Sequence, residues 1–164
     1  MLVEAFQYKQ WADRRALDAV GRIDVQQFAA GYAFALQQFN HMVRVEELFK
    51  ARLLGASAPH LSTNTAVVPD FHALSQRIDD SNQWFARYVD TLAPGEKSRR
   101  VSFVFVDGQH GSMTGLEILF HIVNHGSYHR GAIGHALDLA QVAHPADTYT
   151  VFIHAAQPER REQP

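Results

Sequence analysis

Three histidines, His121, His125 and His129, follow one another at intervals of four residues. On an α-helix such positions lie on one face, each about 40° round from the last. Imidazole nitrogens one turn apart can grip a single metal ion. The competing explanations are a polar helix face, or core histidines bonded to backbone. Neighbouring residues bear on the choice. At 100° per residue, Ile118, Ala132 and Ala136 fall within about 20° of His125, so this face points at an apolar interior. A fourth histidine, His41, shares a stripe with Phe34, Val45, Leu48 and Arg52, all within about 40° of it. A lone inward histidine is more often a satisfied core residue than a ligand. Two helices that both aim histidines inward favour a shared site, because a buried imidazole needs partners for its nitrogens and a metal is one way to supply them. Sites between facing helices are a common use of helical bundles.

Other residues carry weaker signals. Tyr8, Trp11 and Arg15 lie on one side of a first helix and either wall a pocket or belong to the core. Gln37 and Arg44 flank His41, placed to orient a substrate carboxylate or water, with a salt bridge from Arg44 to a nearby acid the plainer expectation. Glu46 and Glu47 read as a solvated or salt-bridged face. His60, His72, His110, His135, His144 and His154 have no partner at ligand spacing and are taken as surface or structural. No unambiguous general base stands out. There is no Gly-rich phosphate loop and no Gly-x-Ser-x-Gly elbow.

The elements that must position these residues are mostly helices. Residues 2–20 have helical apolar spacing and stop at Gly21. Residues 22–32 read as a connection, with Asp24 a possible cap and Gly31 a breaker. A long second helix spans 33–54 and ends at Gly55. Residues 56–69, rich in Ser, Thr, Pro and Asn, are loop. Asp70 caps a third helix whose apolar stripe runs from Phe71 to Leu92. Residues 101–106 favour an extended conformation, being β-branched and aromatic. The Asp107-Gly108 turn then predicts a short hairpin over 99–113. Thr114 and Glu117 fit a capping box, opening a fourth helix to about Val142. Asp147 is placed to cap a short last helix that ends before Pro158. The expectation is an all-α four-helix bundle, one domain over 1–158, with a frayed tail at 159–164.

Bulk properties narrow the function. The chain has 164 residues, 46% hydrophobic and 20% charged, which suits a globular domain with its own core. A formal charge of −2 gives no electrostatic case for nucleic acid. No apolar run is long enough to span a bilayer, and the N-terminus does not read as a signal peptide, so a cytoplasmic location with no membrane partner is expected. There are no cysteines. Disulfides, zinc–thiolate sites and thiol nucleophiles on this chain are therefore excluded.

Three segments together resemble the DinB family of DNA-damage-inducible proteins: Tyr8-Lys-Gln-Trp11-Ala-Asp-Arg-Arg, Phe39-Asn-His41-Met-Val-Arg-Val-Glu46-Glu, and His121-Ile-Val-Asn124-His125-Gly-Ser-Tyr-His129-Arg130-Gly131. Their order and spacing match along nearly the whole chain, and the last is the most specific. This family is not the similarly named translesion polymerase, for which the chain is far too short. The resemblance implies an up-down four-helix bundle with a long crossover, usually a homodimer. It implies a three-histidine metal site with open positions, whose ligands would be His41, His125 and His129, with His121 a neighbour. One departure is Ala132, where many members carry a glutamine. That removes a polar pocket residue, so the substrates of better-known relatives, among them thiol transferases and the mycothiol-dependent maleylpyruvate isomerase, do not carry over to this chain.

Three neutral nitrogens leave a metal with open positions, the pattern of a catalytic site. Nitrogen ligation suits Zn²⁺ or Ni²⁺ best. The expectation is a metal-dependent hydrolase or thiol S-transferase acting on a small molecule, either an ester or amide or a low-molecular-weight thiol. The alternative is a non-catalytic, stress-associated metal-binding dimer. The fourth helix sharpens the dimer expectation. Besides its histidine face, Leu116, Leu119, Phe120, Val123 and Leu137 form a second apolar face that needs cover, from the hairpin, the third helix or another subunit.

Overall fold

The computed structural model describes residues 1–105 and 107–161. It is mostly helical. The elements are α1 (Leu2–Val20), α2 (Ala29–Leu54), α3 (Phe71–Asp90), a short α4 (Pro94–Ser98), β1 (Arg100–Val104), β2 (His110–Thr114), α5 (Gly115–Leu139) and α6 (Tyr149–Ala156), followed by a 3₁₀ turn at Pro158–Arg160. Among the described residues no helix is long and apolar enough to cross a membrane. Val106 and the tail from Glu162 to Pro164, which the sequence assigns to the extended run and the frayed end, lie outside the described residues.

The four long helices pack as a bundle. α2 lies against α3 and α5, and α1 lies against the same two. β1 and β2 form an antiparallel hairpin with Val101 opposite Met113 and Phe103 opposite Gly111. Its turn needs Gly108, whose φ of 86° is open to glycine and strained for most other residues. Thr114 and Glu117 cap α5 reciprocally, as the sequence predicts.

Three boundaries differ from expectation. α2 begins at Ala29, four residues early. Gly31 sits within its first turn, where one glycine costs only about 1 kcal/mol, and Asp24 instead closes a turn by accepting from the Gln26 and Gln27 amides. α5 stops at Leu139 because Gln141 takes a left-handed φ of 58° and Val142 donates back to the Leu137 carbonyl. Thr148, not Asp147, caps α6, because the Asp147 carboxylate is taken by Tyr8 and Arg130.

The core has two apolar halves. One gathers Leu36, Phe39, Leu74, Ile78, Ile133 and Leu137. The other gathers Phe6, Phe49, Phe85, Phe103, Ile118 and Ile122. On each long helix, a buried polar or charged residue lies between the two sets: Lys9 and Asp13 on α1, Glu46 on α2, Ser81 and Asn82 on α3, Arg130 on α5. The Lys9 ammonium donates to Asp13 at 2.7 Å and to Asn82 at 2.8 Å, and lies 2.8 Å from Glu46. Arg130 reaches Asp13 at 2.7 Å and Asp147 at 2.8 Å. Gly126 makes room for this belt, since a Cβ there would lie 2.8 Å from the Arg130 Nη1.

Candidate metal centre

α2 and α5 run antiparallel. Phe49 meets His121 with ring centroids 5.2 Å apart, and His41 meets His125 and His129 at 5.1 and 4.6 Å. A Cβ on Gly31 would approach the Ala136 carbonyl to 3.9 Å. Residue numbers thus fall along one helix as they rise along the other, and the two inward stripes face each other. The His41 Nε2 lies 3.1 Å from the His125 Nε2, and the His129 Nε2 lies 3.0 Å from the same atom. His41, His125 and His129 form a group able to hold one metal ion, each offering a nitrogen within 4.8 Å of the others and each only partly buried.

Two amide side chains fix the outer nitrogens. The His129 Nδ1 lies 2.6 Å from the Gln38 Oε1, and the His41 Nδ1 lies 3.2 Å from the Asn64 Oδ1. A carbonyl oxygen only accepts, so both Nδ1 atoms carry hydrogen and both Nε2 atoms present lone pairs. Asn64 reaches His41 because the 56–69 loop is strapped along α2. Gln37 donates to the Thr65 and Val67 carbonyls, Asn40 donates to the Thr65 hydroxyl, and Arg44 donates to the Ser62 carbonyl at 2.7 and 3.0 Å. His60 and Arg77 both bind Glu47 beside the loop.

The cluster carries more lone pairs than protons. With His41 and His129 held as acceptors, only the His125 Nε2 can donate, and to one of them. Protonating the group is also opposed. Burial, then the imidazoles of His129, His121 and His41 and the Lys9 ammonium, push His125 down to about 3. Burial and His41 push His129 down to about 4. Two neutral nitrogens about 3 Å from that of His125, and all three within 4.8 Å, suit a single cation, since ligands at about 2.0–2.1 Å from one ion lie roughly 2.8–3.4 Å from each other in octahedral or tetrahedral geometry. The donor set therefore fits a divalent metal, with Gln38 and Asn64 as the outer partners that orient such ligands.

The family model of the DinB family matches residues 1–162. The chain belongs to the DinB family. Neither a curated protein nor a solved structure matches it.

In this DinB-family chain, His121 stands one turn from the trio, its ring 5.1 Å from that of His125. It is absent from the group of three. Tyr8 and Trp11 pack on Phe152 of α6, and Arg15 stacks on Trp11 and donates to the Ala146 carbonyl, so this face anchors the C-terminal segment. Among the described residues Arg44 makes no salt bridge. Its guanidinium is spent on the loop carbonyl, because the nearest acids of α2 are engaged elsewhere. Glu46 and Glu47 are both salt-bridged, to Lys9 and to Arg77, but Glu46 is buried at 3% exposure. The solvated alternative fails for it because Lys9 and Ser81 satisfy its carboxylate inside the bundle.

Sequence reasoning did not single out Gln38, Asn64, Lys9, Asp13 or Arg130. Gln38 had a signal, lying three residues before His41 on the same helix side. Lys9 and Asp13 had one too, as an i,i+4 pair of opposite charge. Asn64 had none, since a loop's composition does not say where its residues land.

Proposed function

We propose that this DinB-family chain binds a divalent metal through His41, His125 and His129 and acts as a metal-dependent enzyme on a small molecule. One observation carries this: three Nε2 atoms converge with surplus lone pairs on a partly exposed face. Nitrogen-only donors favour Zn²⁺ or Ni²⁺. When bound, such an ion supplies Lewis acidity, polarising a carbonyl and acidifying water or a thiol. The chain's own residues hold the site ready. Gln38 and Asn64 fix the imidazole tautomers, and α2 and α5 set the spacing. The chain lacks cysteine, so any reacting thiol comes with the substrate. Hydrolysis of an ester or amide and thiol S-transfer are the two reactions this supports.

The family match along the chain supports a single domain and the up-down bundle with a long crossover. A homodimer is also proposed. Leu119 and Leu137 of the second α5 face are covered within the chain, but Leu116 and Phe120 remain 47% and 69% exposed, beside a groove of about 780 Å³ between α1 and α5. A second copy would cover them. Light scattering at micromolar concentration tests this, and a clean monomer mass overturns it.

The test of the site is elemental analysis of purified variants. His41→Ala, His125→Ala and His129→Ala should each lose stoichiometric metal, and His121→Ala should keep it. Full occupancy in His125→Ala overturns the site. The loaded protein is then screened for thiol conjugation and for ester and amide hydrolysis, with chelation removing activity and added metal restoring it. Bound metal without turnover makes this a binding protein.

A further inference from the structure

An apolar groove of about 570 Å³ opens between the start of α2 and the end of α5. Phe28, Phe34, Ala132, Ala136, Leu139 and Ala140 form its walls, with Gln27 and His135 also among the lining residues. Its volume falls within the range of small-molecule sites. Phe34 and Leu139 keep 45% and 67% of their surface exposed, which is costly for side chains with no partner.

The position of the groove matters more than its size. Phe34 precedes His41 by seven residues, and Ala136 follows His129 by seven. Seven residues make nearly two whole turns, so each lies within about 20° of its histidine on the same helix face. Because the helices are antiparallel, both steps lead the same way, about 10 Å along the bundle. Gln38, which holds His129, and Ala132 lie on the intervening turns. The groove and the histidine trio thus share one α2–α5 seam. None of the charged belt residues Lys9, Asp13, Glu46 or Arg130 is part of the groove wall.

We infer that this groove is the specificity site for the substrate's tail, and that the natural substrate is an amphiphile: a polar reacting head at the three histidines and an alkyl or aryl body about 10 Å away in the groove. The inference rests on the metal-centre reading above. It commits to one occupant because the groove's walls Phe34, Ala132 and Ala136 lie on the same two helices as the histidines, within about 10 Å of them along the seam. A second copy of the chain lying there is an alternative that the experiment exposes.

The experiment titrates the zinc-loaded full chain calorimetrically with alkyl hydroxamates, whose head chelates metal and whose tail can be lengthened. Each methylene seated in an apolar groove gains about fourfold in affinity. Octanohydroxamate should bind roughly 50-fold tighter than acetohydroxamate if three or more methylenes are seated. Leu139→Asp, at an exposed position, should remove most of that gain and leave acetohydroxamate binding unchanged, and Ala132→Trp, which fills the groove, should remove most of the gain as well. Equal affinity for both tails, with acetohydroxamate still bound, overturns the groove and spares the centre. Loss of the dimer in Leu139→Asp with no tail effect in the parent protein assigns the groove to a second copy and also overturns the inference. No acetohydroxamate binding to the parent protein removes the metal reading, and the inference falls with it.

Discussion

The bundle holds two polar clusters at about the same level, and they differ in how their hydrogen bonds add up. In the belt of Lys9, Asp13, Glu46, Asn82 and Arg130, donors meet acceptors, and among the described residues no buried side-chain nitrogen or oxygen lacks a partner. In the trio of His41, His125 and His129, lone pairs outnumber protons. A closed set of partners can be explained by folding alone, because burying charge is tolerable only when it is paired and bonded. A set left short of cations, and open to solvent on one side, points to a ligand. Titratable residues by themselves do not mark a site; the imbalance does.

The largest effect should come from opening the belt. Asp13 is wholly buried and serves both Lys9 and Arg130. Burial raises its pKa, but the two cations more than offset this and hold it below the usual carboxylate value. Asp13→Ala leaves two buried cations short of an acceptor and should cost about 3–5 kcal/mol, read as a lower urea midpoint at unchanged slope. His125→Ala in metal-free protein should cost no more than about 1–2 kcal/mol, because it also relieves a crowding of lone pairs. A larger loss from His125→Ala than from Asp13→Ala breaks the contrast.

Metal should act on one cluster only. A ligand that binds the folded chain at 1,000 times its Kd stabilises it by about 4 kcal/mol. Thermal unfolding with saturating zinc should show a rise of this order, absent in His125→Ala. An equal rise in that variant means the metal sits elsewhere.

Acid should separate the clusters by pH window. His125 and His129 titrate near 3 and 4 when folded, well below the ordinary 6.5. As pH falls through 6.5 the unfolded chain binds protons that the folded chain refuses, so metal-free stability declines from about pH 6.5 down to about 3–4. Both rings are partly exposed, which makes the decline shallower than those values imply. Asp13 begins to contribute only below its unfolded value near 3.8. Glu46 has the opposite sign. Burial raises it beyond what Lys9 lowers, so its protonation favours the folded chain above the ordinary 4.5. Urea midpoints with chelator present should fall between pH 6.5 and 5 in the parent protein, and less in His125→Ala. Equal slopes refute the assignment of that window to the trio.

How much of this was legible follows from the physics of each residue. His41, His125 and His129 could be found because helical period converts spacing into a face, and apolar neighbours say which way the face points. The helices were legible for the same reason, to within a few residues. The hairpin was legible from Asp107-Gly108. The belt was not, because Lys, Asp, Glu and Arg read as solvent-facing unless their partners are known, and those partners lie on other helices: Lys9 to Asn82, Asp13 to Arg130. The start of α2 is not legible because Gly31 reads as a breaker but stands in a first turn that tolerates one.

The smallest effect tests the outer partners of the trio. Gln38 and Asn64 touch no proposed metal position. They act through the imidazoles, accepting the Nδ1 hydrogen so that the Nε2 lone pair stays aimed at its partners. Losing such a partner costs about 10–100-fold in metal affinity. Gln38→Ala should lie toward the upper end, because its contact is 2.6 Å and comes from a helix. Asn64→Ala should lie toward the lower end, because its contact is 3.2 Å and comes from an exposed loop. Only the amide oxygen matters in this account, so Gln38→Glu should retain affinity or raise it, since a carboxylate accepts the same hydrogen more strongly. Zinc competition against a chelating dye measures all three. A Gln38→Glu variant as weak as Gln38→Ala would show that Gln38 serves packing instead of holding the tautomer, and the surplus of lone pairs at the trio would lose half its support.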